Sequence, residues 1–185
     1  KWLKEELVNS YIWFMPPPAS TNPNELVAPT QWGSVTLTPR EHGIELEAVT
    51  EAWKRQKCTV IGNYRLTTGK WYYEVQLLSY THQSPLGWGS EMQSNDGDKR
   101  GTGDDDQGWA YRAGGILSGK KVHGGKESNY GLDSWKSGDT IGCAIDLDAK
   151  TMSFYHNGQD LGVAFSDFAV SDRGVAPSIT ITRPT

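Results

Sequence analysis

Short runs of alternating or apolar residues fill the chain from Gln31 onward, and turn-forming residues separate them about every ten positions. Val, Ile, Tyr, Phe, Trp and Thr dominate these runs, as they do in β-strands, because branched and aromatic side chains pack well on a pleated surface. At 185 residues, the chain is long enough for one domain with a full core. So many short strands favour an all-β fold, either an antiparallel sandwich or a jelly roll. We predict strands at 34–38, 43–48, 57–64, 69–80, 85–91, 108–113, 115–119, 120–125, 139–148, 151–157, 161–168 and 176–182.

Alternation within the runs predicts which side chains form the core. In KWYYEV, Tyr72 and Glu74 face away from the residues on either side of them, because successive side chains of a strand point to opposite faces. The segment IGCAIDL alternates in the same way. Most of the eight tryptophans are therefore expected to serve packing. The predicted core positions of the two strands are Trp71, Tyr73, Val75, Ile141, Cys143, Ile145 and Leu147.

Residues 139–165 are predicted to form two consecutive hairpins. Asp148-Ala149-Lys150 separates the first strand from the second, and Asn157-Gly158-Gln159-Asp160 separates the second from the third. The pair Asn157-Gly158 readily takes the positive φ angles that tight hairpin turns require.

The first thirty residues differ from the rest. Leu3, Leu7 and Tyr11 recur at four-residue steps, which predicts a short helix over residues 1–15. Three consecutive prolines must end this helix, because proline removes backbone donors and forces extended backbone. Residues 16–30 are rich in Pro, Asn, Ser and Thr and are typical of a linker. We therefore expect a helix and Pro-rich linker over 1–30 and a β-sandwich domain over 31–185.

Charge and cysteine usage limit the classes of partner and compartment. The formal net charge of −4 argues against a nucleic-acid binder, and no apolar run is long enough to span a bilayer, so we expect no membrane insertion. Cys58 and Cys143 are far apart and form no CxxC pair, and no Asn-x-Ser/Thr sequon occurs. These absences favour two buried thiols in a reducing, intracellular setting, which we place in the cytoplasm. The oligomeric state is not predicted.

The stretch GTGDDDQGWAY (101–111) carries three consecutive aspartates and raises the question of a metal site. An EF-hand calcium loop needs acids at positions 1, 3 and 5, Gly at 6 and Glu at 12. Frames that start at Asp104 or Asp96 both fail this pattern, since Gly115 or Gln107 falls at position 12. The aspartates are therefore interpreted as turn formers and surface charge, and no metal or other cofactor is expected.

Catalytic patterns are equally poor. A glycosidase needs two carboxylates about 5–9 Å apart in a cleft. Asp146 and Asp148 share a face of one strand, but Asp148 begins a hairpin turn, where aspartate is favoured for its bond to the backbone. None of the histidines accompanies a Gly-x-Ser-x-Gly motif, and His123 and His156 on predicted strands suit structural roles. We therefore predict that the protein is not an enzyme.

Several motifs occur in order along the chain: GKWYYEV (69–75), PLGWGSE (85–91), GTGDDDQGWAY (101–111), NYG (129–131), the segment 135–165 and APSITIT (176–182). Together they resemble the SPRY domain family, over roughly residues 31–183. The resemblance implies a bent, concanavalin-like sandwich of two antiparallel sheets, without catalytic activity, that recognises proteins or short peptides through loops on one rim. Members of the family occur in ubiquitin ligases, calcium-release channels and other intracellular proteins, and a ubiquitin ligase is the leading expectation for the parent protein.

The resemblance also implies where a partner would bind. In peptide-binding members three places line the pocket, and they correspond here to the segment near 50–55, the segment near 99–100 and the end of the last strand. Trp53 lies among charged residues, and Trp and Arg are the residues that most often dominate interface energies. The basic residues predict a protein or peptide partner with acidic groups or phosphate. The implied site residues are Thr50, Ala52, Trp53, Lys54, Arg55, Lys99, Arg100, Thr182, Arg183 and Pro184.

Two alternatives stay open at this point. The long segment 92–107 either frames this partner site or covers it. The second function that fits an all-β chain is a lectin-like jelly roll that binds glycan or calcium, since loop carboxylates and backbone carbonyls can converge on a cation without an EF-hand pattern.

Overall fold

Two six-stranded antiparallel sheets dominate the computed structural model, which describes residues 3–7, 10–14, 34–40, 43–49, 57–62, 65–78, 84–90, 101–113, 119–132 and 134–182. The described residues contain fourteen strands and no α-helix. The strands are β1 (Leu3–Leu7), β2 (Ser10–Phe14), β3 (Ser34–Arg40), β4 (Gly43–Val49), β5 (Lys57–Ile61), β6 (Lys70–Leu77), β7 (Leu86–Gly89), β8 (Gly108–Arg112), β9 (Lys120–His123), β10 (Lys126–Asn129), β11 (Thr140–Asp146), β12 (Thr151–His156), β13 (Gln159–Ser166) and β14 (Ala176–Thr182).

The strand order defines a sandwich. The first sheet runs β1-β2-β6-β11-β12-β13, and the second runs β10-β9-β8-β7-β14-β5. Among the described strands, β3 and β4 form a separate two-stranded sheet, and Leu46 of β4 is buried in the main core. The predicted all-β antiparallel sandwich is therefore confirmed.

The predicted N-terminal helix is wrong for the residues that the structure describes. β1 and β2 form an antiparallel hairpin, with Leu3 opposite Phe14 and Leu7 opposite Ser10. β2 then pairs with β6, where Ile12 lies opposite Val75. Without β2, this edge of β6 would carry unpaired backbone groups, so strand pairing overrides the four-residue spacing that suggested a helix. Residues 16–30, the predicted linker, lie outside the described part of the chain, and the proposed boundary at residue 31 stays a prediction.

The two hairpins predicted over 139–165 are confirmed. β11 pairs with β12 and β12 pairs with β13, both antiparallel. Asn157 and Gly158 join β12 to β13 with φ angles of 50° and 81°. Two successive positive φ angles match the twist of the flanking strands, so this turn fixes the register of the hairpin.

The core lies between the sheets, where the alternation placed it. Tyr73, Val75, Ile141, Cys143 and Ile145 are almost fully buried, and Trp71 packs at the margin of the cluster. The tryptophans whose side chains the structure describes also serve packing, because Trp88, Trp109 and Trp135 are at most 3% exposed.

Two strand predictions differ from the structure. Residues 114–118, most of the strand expected at 115–119, lie outside the described residues, and Gly119 is not in a strand. β10 (KESN) was not predicted, because it is fully exposed and has no alternation to detect. It forms because Gly124 and Gly125 take φ angles of 59° and 69° and turn the chain back along β9.

Polar groups from the second sheet reach strand β13, which lies at an edge of the first sheet. The Tyr130 hydroxyl donates to the Gly162 carbonyl at 2.6 Å, and the Lys121 ammonium donates to the Ala164 carbonyl. The register of β12 and β13 shifts near Ser153, and Gly162 has a φ of 82°. Side-chain donors and a bulge both discourage another chain from pairing with an edge strand.

Candidate partner-binding rim

Nearly all of the predicted partner-binding residues lie outside the described residues. This holds for Thr50, Ala52, Trp53, Lys54, Arg55, Lys99, Arg100, Arg183 and Pro184. Thr182 is described as the last residue of β14, and its backbone lies opposite Lys57. The positions of the predicted side chains therefore stay a prediction.

The described residues that border these three segments come together. Lys57 follows the segment 50–56 and pairs with Thr182, which precedes Arg183. Gly101 follows Lys99 and Arg100, and the next residue, Thr102, donates its backbone N–H to the Thr180 hydroxyl at 2.7 Å. The ends of all three segments therefore lie at the same end of β14, and we call this end the rim.

Four buried hydroxyls hold the rim together, and we call them the hydroxyl cluster. Thr180 Oγ1 lies 2.8 Å from Thr59 Oγ1 and 3.1 Å from Thr102 Oγ1. Thr102 Oγ1 also lies 2.8 Å from Ser178 Oγ. All four residues are at most 3% exposed. A buried hydroxyl without a hydrogen-bond partner lowers the stability of the fold. These contacts therefore hold the loop that carries Thr102 against β5 and β14.

Sequence reasoning missed the hydroxyl cluster. Ile179 and Ile181 face the core, so Ser178 and Thr180 face the outside of the second sheet. Residues on an outer face are normally solvated, and only the tertiary path of the chain at Thr102 buries them. The one available signal was the alternation of hydroxyl and apolar residues in SITIT, which is also the pattern of an ordinary half-exposed strand.

The aspartates of GTGDDDQGWAY organise the loop that carries Thr102. The Asp104 carboxylate accepts a hydrogen bond from the Gly101 N–H at 2.7 Å, and the Asp105 carboxylate accepts one from the Gln107 N–H at 3.0 Å. Asp105 also accepts from the Gly124 N–H through its carbonyl, at 2.9 Å. The interpretation as turn formers is confirmed for Asp104 and Asp105. The described part of the long segment, 101–107, covers the hydroxyl face of the second sheet, and residues 91–100 lie outside the description.

Asp146 and Asp148 also act on the backbone. Asp146 Oδ1 accepts hydrogen bonds from the N–H groups of Asp148 at 3.1 Å and Ala149 at 2.8 Å, and Asp146 Oδ2 lies 2.9 Å from Lys70 Nζ. The hydrogen bond from Ala149 and then the one from Lys70 lower the pKa of Asp146. Asp148 accepts from the Gly69 N–H at 3.0 Å. Asp146 therefore stabilises the turn that follows β11. Asp148 was predicted to bond the backbone of its own turn, but it holds the distant Gly69 instead, and this arrangement is not that of a paired acid and base. Among the described residues, no three or more His, Cys, Asp or Glu side chains are grouped so that they could hold a metal ion.

The two strand histidines have structural partners. His123 Nδ1 lies 2.8 Å from the Gly108 carbonyl oxygen, and its ring stacks on Trp109 with centroids 4.9 Å apart. His156 Nε2 lies 2.8 Å from Asp139 Oδ2, a contact with the distance of an ion pair but without the angle of a hydrogen bond. Burial acts to raise the pKa of Asp139, but the hydrogen bond from Asn157, the contact with His156 and the hydrogen bond from the Lys136 backbone outweigh it and lower the pKa.

Cys143 is a free, fully buried thiol. Burial raises its pKa to about 12, so the thiolate that would act as a nucleophile is scarce at neutral pH. The prediction of a buried thiol is confirmed for Cys143, and the side chain of Cys58 lies outside the description.

The hydroxyl cluster yields a stability prediction. Replacing Thr180 with valine keeps the shape of the side chain but removes the partner of the Thr102 N–H and of two hydroxyls. We expect the free energy of unfolding to fall by about 2 kcal/mol, because buried donors are left without acceptors. Urea unfolding followed by tryptophan fluorescence measures the change. Thr151→Val, at a half-buried position on β12, is the control and should change stability by less than about 0.5 kcal/mol. Equal stability of both variants would contradict the role assigned to the cluster.

A model of the SPRY domain family matches residues 70–184, more than half of the chain. The chain belongs to the SPRY domain family. Members of this family are generally protein-interaction modules without catalytic activity. The match begins at the first residue of β6 and ends two residues after β14, so it contains every strand from β6 to β14.

Two curated relatives share the family region. The chain is 39% identical over 118 residues to the E3 ubiquitin-protein ligase RKP of Arabidopsis thaliana. This match covers 62% of the chain and 9% of the ligase. It is also 39% identical over 100 residues to the ATP-dependent RNA helicase DDX1 of Xenopus laevis. That match covers 52% of the chain and 12% of the helicase. The chain thus spans only about a tenth of the length of these relatives.

A solved structure, the SPRY domain of human HERC1, has the same fold. The two structures superpose with a TM-score of 0.56 at 22% sequence identity. The superposition covers 86% of this chain and 88% of the HERC1 domain. At this identity the likeness concerns the fold alone.

No helix among the described residues is long and apolar enough to cross a membrane.

Proposed function

We propose that the protein recognises a peptide or protein surface through the rim, with Trp53 as an apolar anchor and a ring of basic residues around it. The observation that carries the proposal is the meeting of Lys57, Thr102 and Thr182 at one end of β14. Three segments that begin or end at one place on a rigid sheet can present their side chains to one ligand, as binding loops on rigid scaffolds do.

The charge of the bordering segments supports an acidic partner. Lys54, Arg55, Lys99, Arg100 and Arg183 all lie within four residues of the rim in sequence. Arginine pairs with carboxylate or phosphate through two parallel hydrogen bonds, which gives geometric selectivity as well as affinity. Trp and Arg are also the residues whose truncation most often weakens an interface.

The parent of this domain, in this proposal, is an intracellular, cytoplasmic multidomain protein such as a ubiquitin ligase. The similarity to the RKP ligase supports this choice, and the domain would then select the protein that the rest of the parent acts on. The similarity to the DDX1 helicase makes an RNA-associated parent the second candidate.

Trp53 is the residue whose removal tests the rim. Random peptides displayed on phage are selected against the domain, and the enriched peptides are synthesised and titrated by calorimetry. We expect enrichment of Asp and Glu, and we expect Trp53→Ala to raise the Kd at least about tenfold, since loss of a central anchor costs more than about 1.4 kcal/mol.

The control is Leu132→Ala, because Leu132 is a large apolar side chain that is 40% exposed in a different loop. This variant should bind with unchanged affinity. If Trp53→Ala binds the selected peptides as tightly as the unmodified domain, the rim is not the site. A melting temperature that rises with calcium, or a positive glycan array, would favour the lectin-like alternative instead, because a ligand of the native state stabilises it.

A further inference from the structure

A groove crosses the outer face of the first sheet, on strands β6, β11 and β12. It has a volume of about 340 Å³, and its lining includes Lys70, Tyr72, Ala144, Asp146, Ser153 and Tyr155. The residues of the groove are unrelated to the rim, because they belong to the other sheet of the sandwich.

Small side chains on neighbouring strands make the floor of the groove. Ala144 pairs with Tyr72 on one side and Ser153 on the other, so these positions form one row across the sheet. Val163 continues the row on β13 opposite Ser153 and is 58% exposed. Outer faces of exposed sheets usually carry long polar side chains, and the short ones here leave a depression with an apolar margin.

Two tyrosines close one end of the groove. The rings of Tyr72 and Tyr155 meet edge to face with centroids 5.6 Å apart. Tyr72 lies across Gly142, and a Cβ atom at Gly142 would collide with the Tyr72 hydroxyl. The absence of a side chain at position 142 is thus what lets this ring come close to β11.

Among the described side chains, two carboxylates flank this aromatic end. Glu74 accepts a hydrogen bond from the Tyr72 hydroxyl at 2.7 Å. Asp160 lies opposite Tyr155 in the next strand, and burial followed by the charge of Asp160 raises the pKa of Tyr155. Both hydroxyls therefore stay protonated at neutral pH. Lys70 lines the groove, and Asp146 pairs with it at 2.9 Å.

We propose that this groove is a second docking surface, which binds an arginine side chain from a basic segment of a partner protein. A guanidinium can lie on a tyrosine face and pair with a neighbouring carboxylate at the same time, and Tyr72 with Glu74 and Tyr155 with Asp160 offer both. The volume lies at the lower end of the roughly 300–1,000 Å³ of ligand pockets, so it suits one long side chain with a short piece of backbone. The two sites would let the domain hold an acidic and a basic segment at once, on different sheets.

The test is an NMR titration of the ¹⁵N-labelled domain with a capped peptide of alternating glycine and arginine. The matched probe replaces each arginine with citrulline, which keeps the shape and removes the charge. We expect saturable shifts centred on the amides of Gly142, Ala144 and Ser153, and at least about fivefold weaker binding of the citrulline peptide, because the cation–π contact and ion pair are lost together.

Three variants locate the site. Ser153→Arg fills the groove and should abolish the shifts. Glu74→Gln combined with Asp160→Asn should weaken binding about threefold or more, as expected for partly exposed charge pairs. Asp172→Asn removes a carboxylate from an exposed turn and should leave binding unchanged.

Other outcomes overturn the proposal. Equal binding of both peptides would exclude a charge-dependent site, and shifts centred on Asp104 to Asp106 would place the peptide on general acidic surface. Retained binding by Ser153→Arg, with a well-dispersed spectrum that shows the variant is folded, would also exclude the groove. Failure of this titration would not contradict the proposed function of the rim, because the rim variants are measured with different peptides.

Discussion

Replacing Gly87 with alanine is expected to lower the free energy of unfolding by about 4 kcal/mol or to prevent folding, because the added methyl group meets backbone on the adjacent strand. A Cβ at this position would collide with the carbonyl oxygen of Trp109 and lie 2.9 Å from the Cα of Ala110. Backbone cannot rotate away as a side chain can, so β7 and β8 would have to separate. These strands are central in the second sheet and carry Trp88 and Trp109 into the core.

Gly142→Ala is the matched control for this prediction. The group that a Cβ would meet there is the Tyr72 ring, a side chain that can turn outward at the surface. We expect a loss of about 1–2 kcal/mol, within the range of ordinary substitutions. Urea unfolding followed by tryptophan fluorescence compares the two variants. If Gly142→Ala proves as damaging as Gly87→Ala, the distinction between backbone and side-chain obstruction does not hold here.

Replacing Tyr111 with alanine is expected to lower the free energy of unfolding by about 3–5 kcal/mol, because it leaves a large cavity. Tyr111 is fully buried, and its ring packs against Tyr130, Trp135 and Phe154 with centroids 5.1–5.4 Å away. Phe154 belongs to the first sheet, so Tyr111 connects the second sheet to the first and to the segment between β10 and β11.

The Tyr111 hydroxyl organises the chain between β10 and β11. It donates to the Leu132 carbonyl at 3.2 Å and accepts from the Leu132 N–H at 3.1 Å and the Trp135 indole at 3.3 Å. Tyr111→Phe keeps the ring and removes these bonds, so we expect a smaller loss of about 2 kcal/mol. The difference between the two variants in the same unfolding experiment separates ring packing from hydrogen bonding. Equal losses in both variants would contradict that separation.

Strand positions and core faces could be predicted from the sequence because both depend on local alternation. Tyr73, Val75, Ile141 and Cys143 alternate with polar or small residues, and each is buried where the alternation placed it. The turn at Asn157-Gly158 was equally readable, since few other residue pairs adopt two positive φ angles. The SPRY motifs then named the fold.

Prediction failed where distant residues decide the outcome. The helix expected over 1–15 is replaced by strands over 3–7 and 10–14, because the edge of β6 supplies hydrogen-bond partners that no local pattern reveals. β10 was also missed. All four of its residues are exposed, so its sequence shows no alternation of apolar and polar residues. The rim was approached from the family resemblance, but the contact that anchors it, Thr102 to Thr180, joins residues 78 positions apart.

The sequence by itself determined the class of fold, the strands of the sandwich interior and the role of Asp104 and Asp105 as turn formers, because each depends on neighbours within a few residues. Only the tertiary structure decided that Thr59, Ser178 and Thr180 are buried, and that Gly142 lies under Tyr72 beside a groove. Both features arise where segments far apart in the chain cross one another. Burial and close approach of this kind follow from the path of the whole chain, which local alternation does not encode.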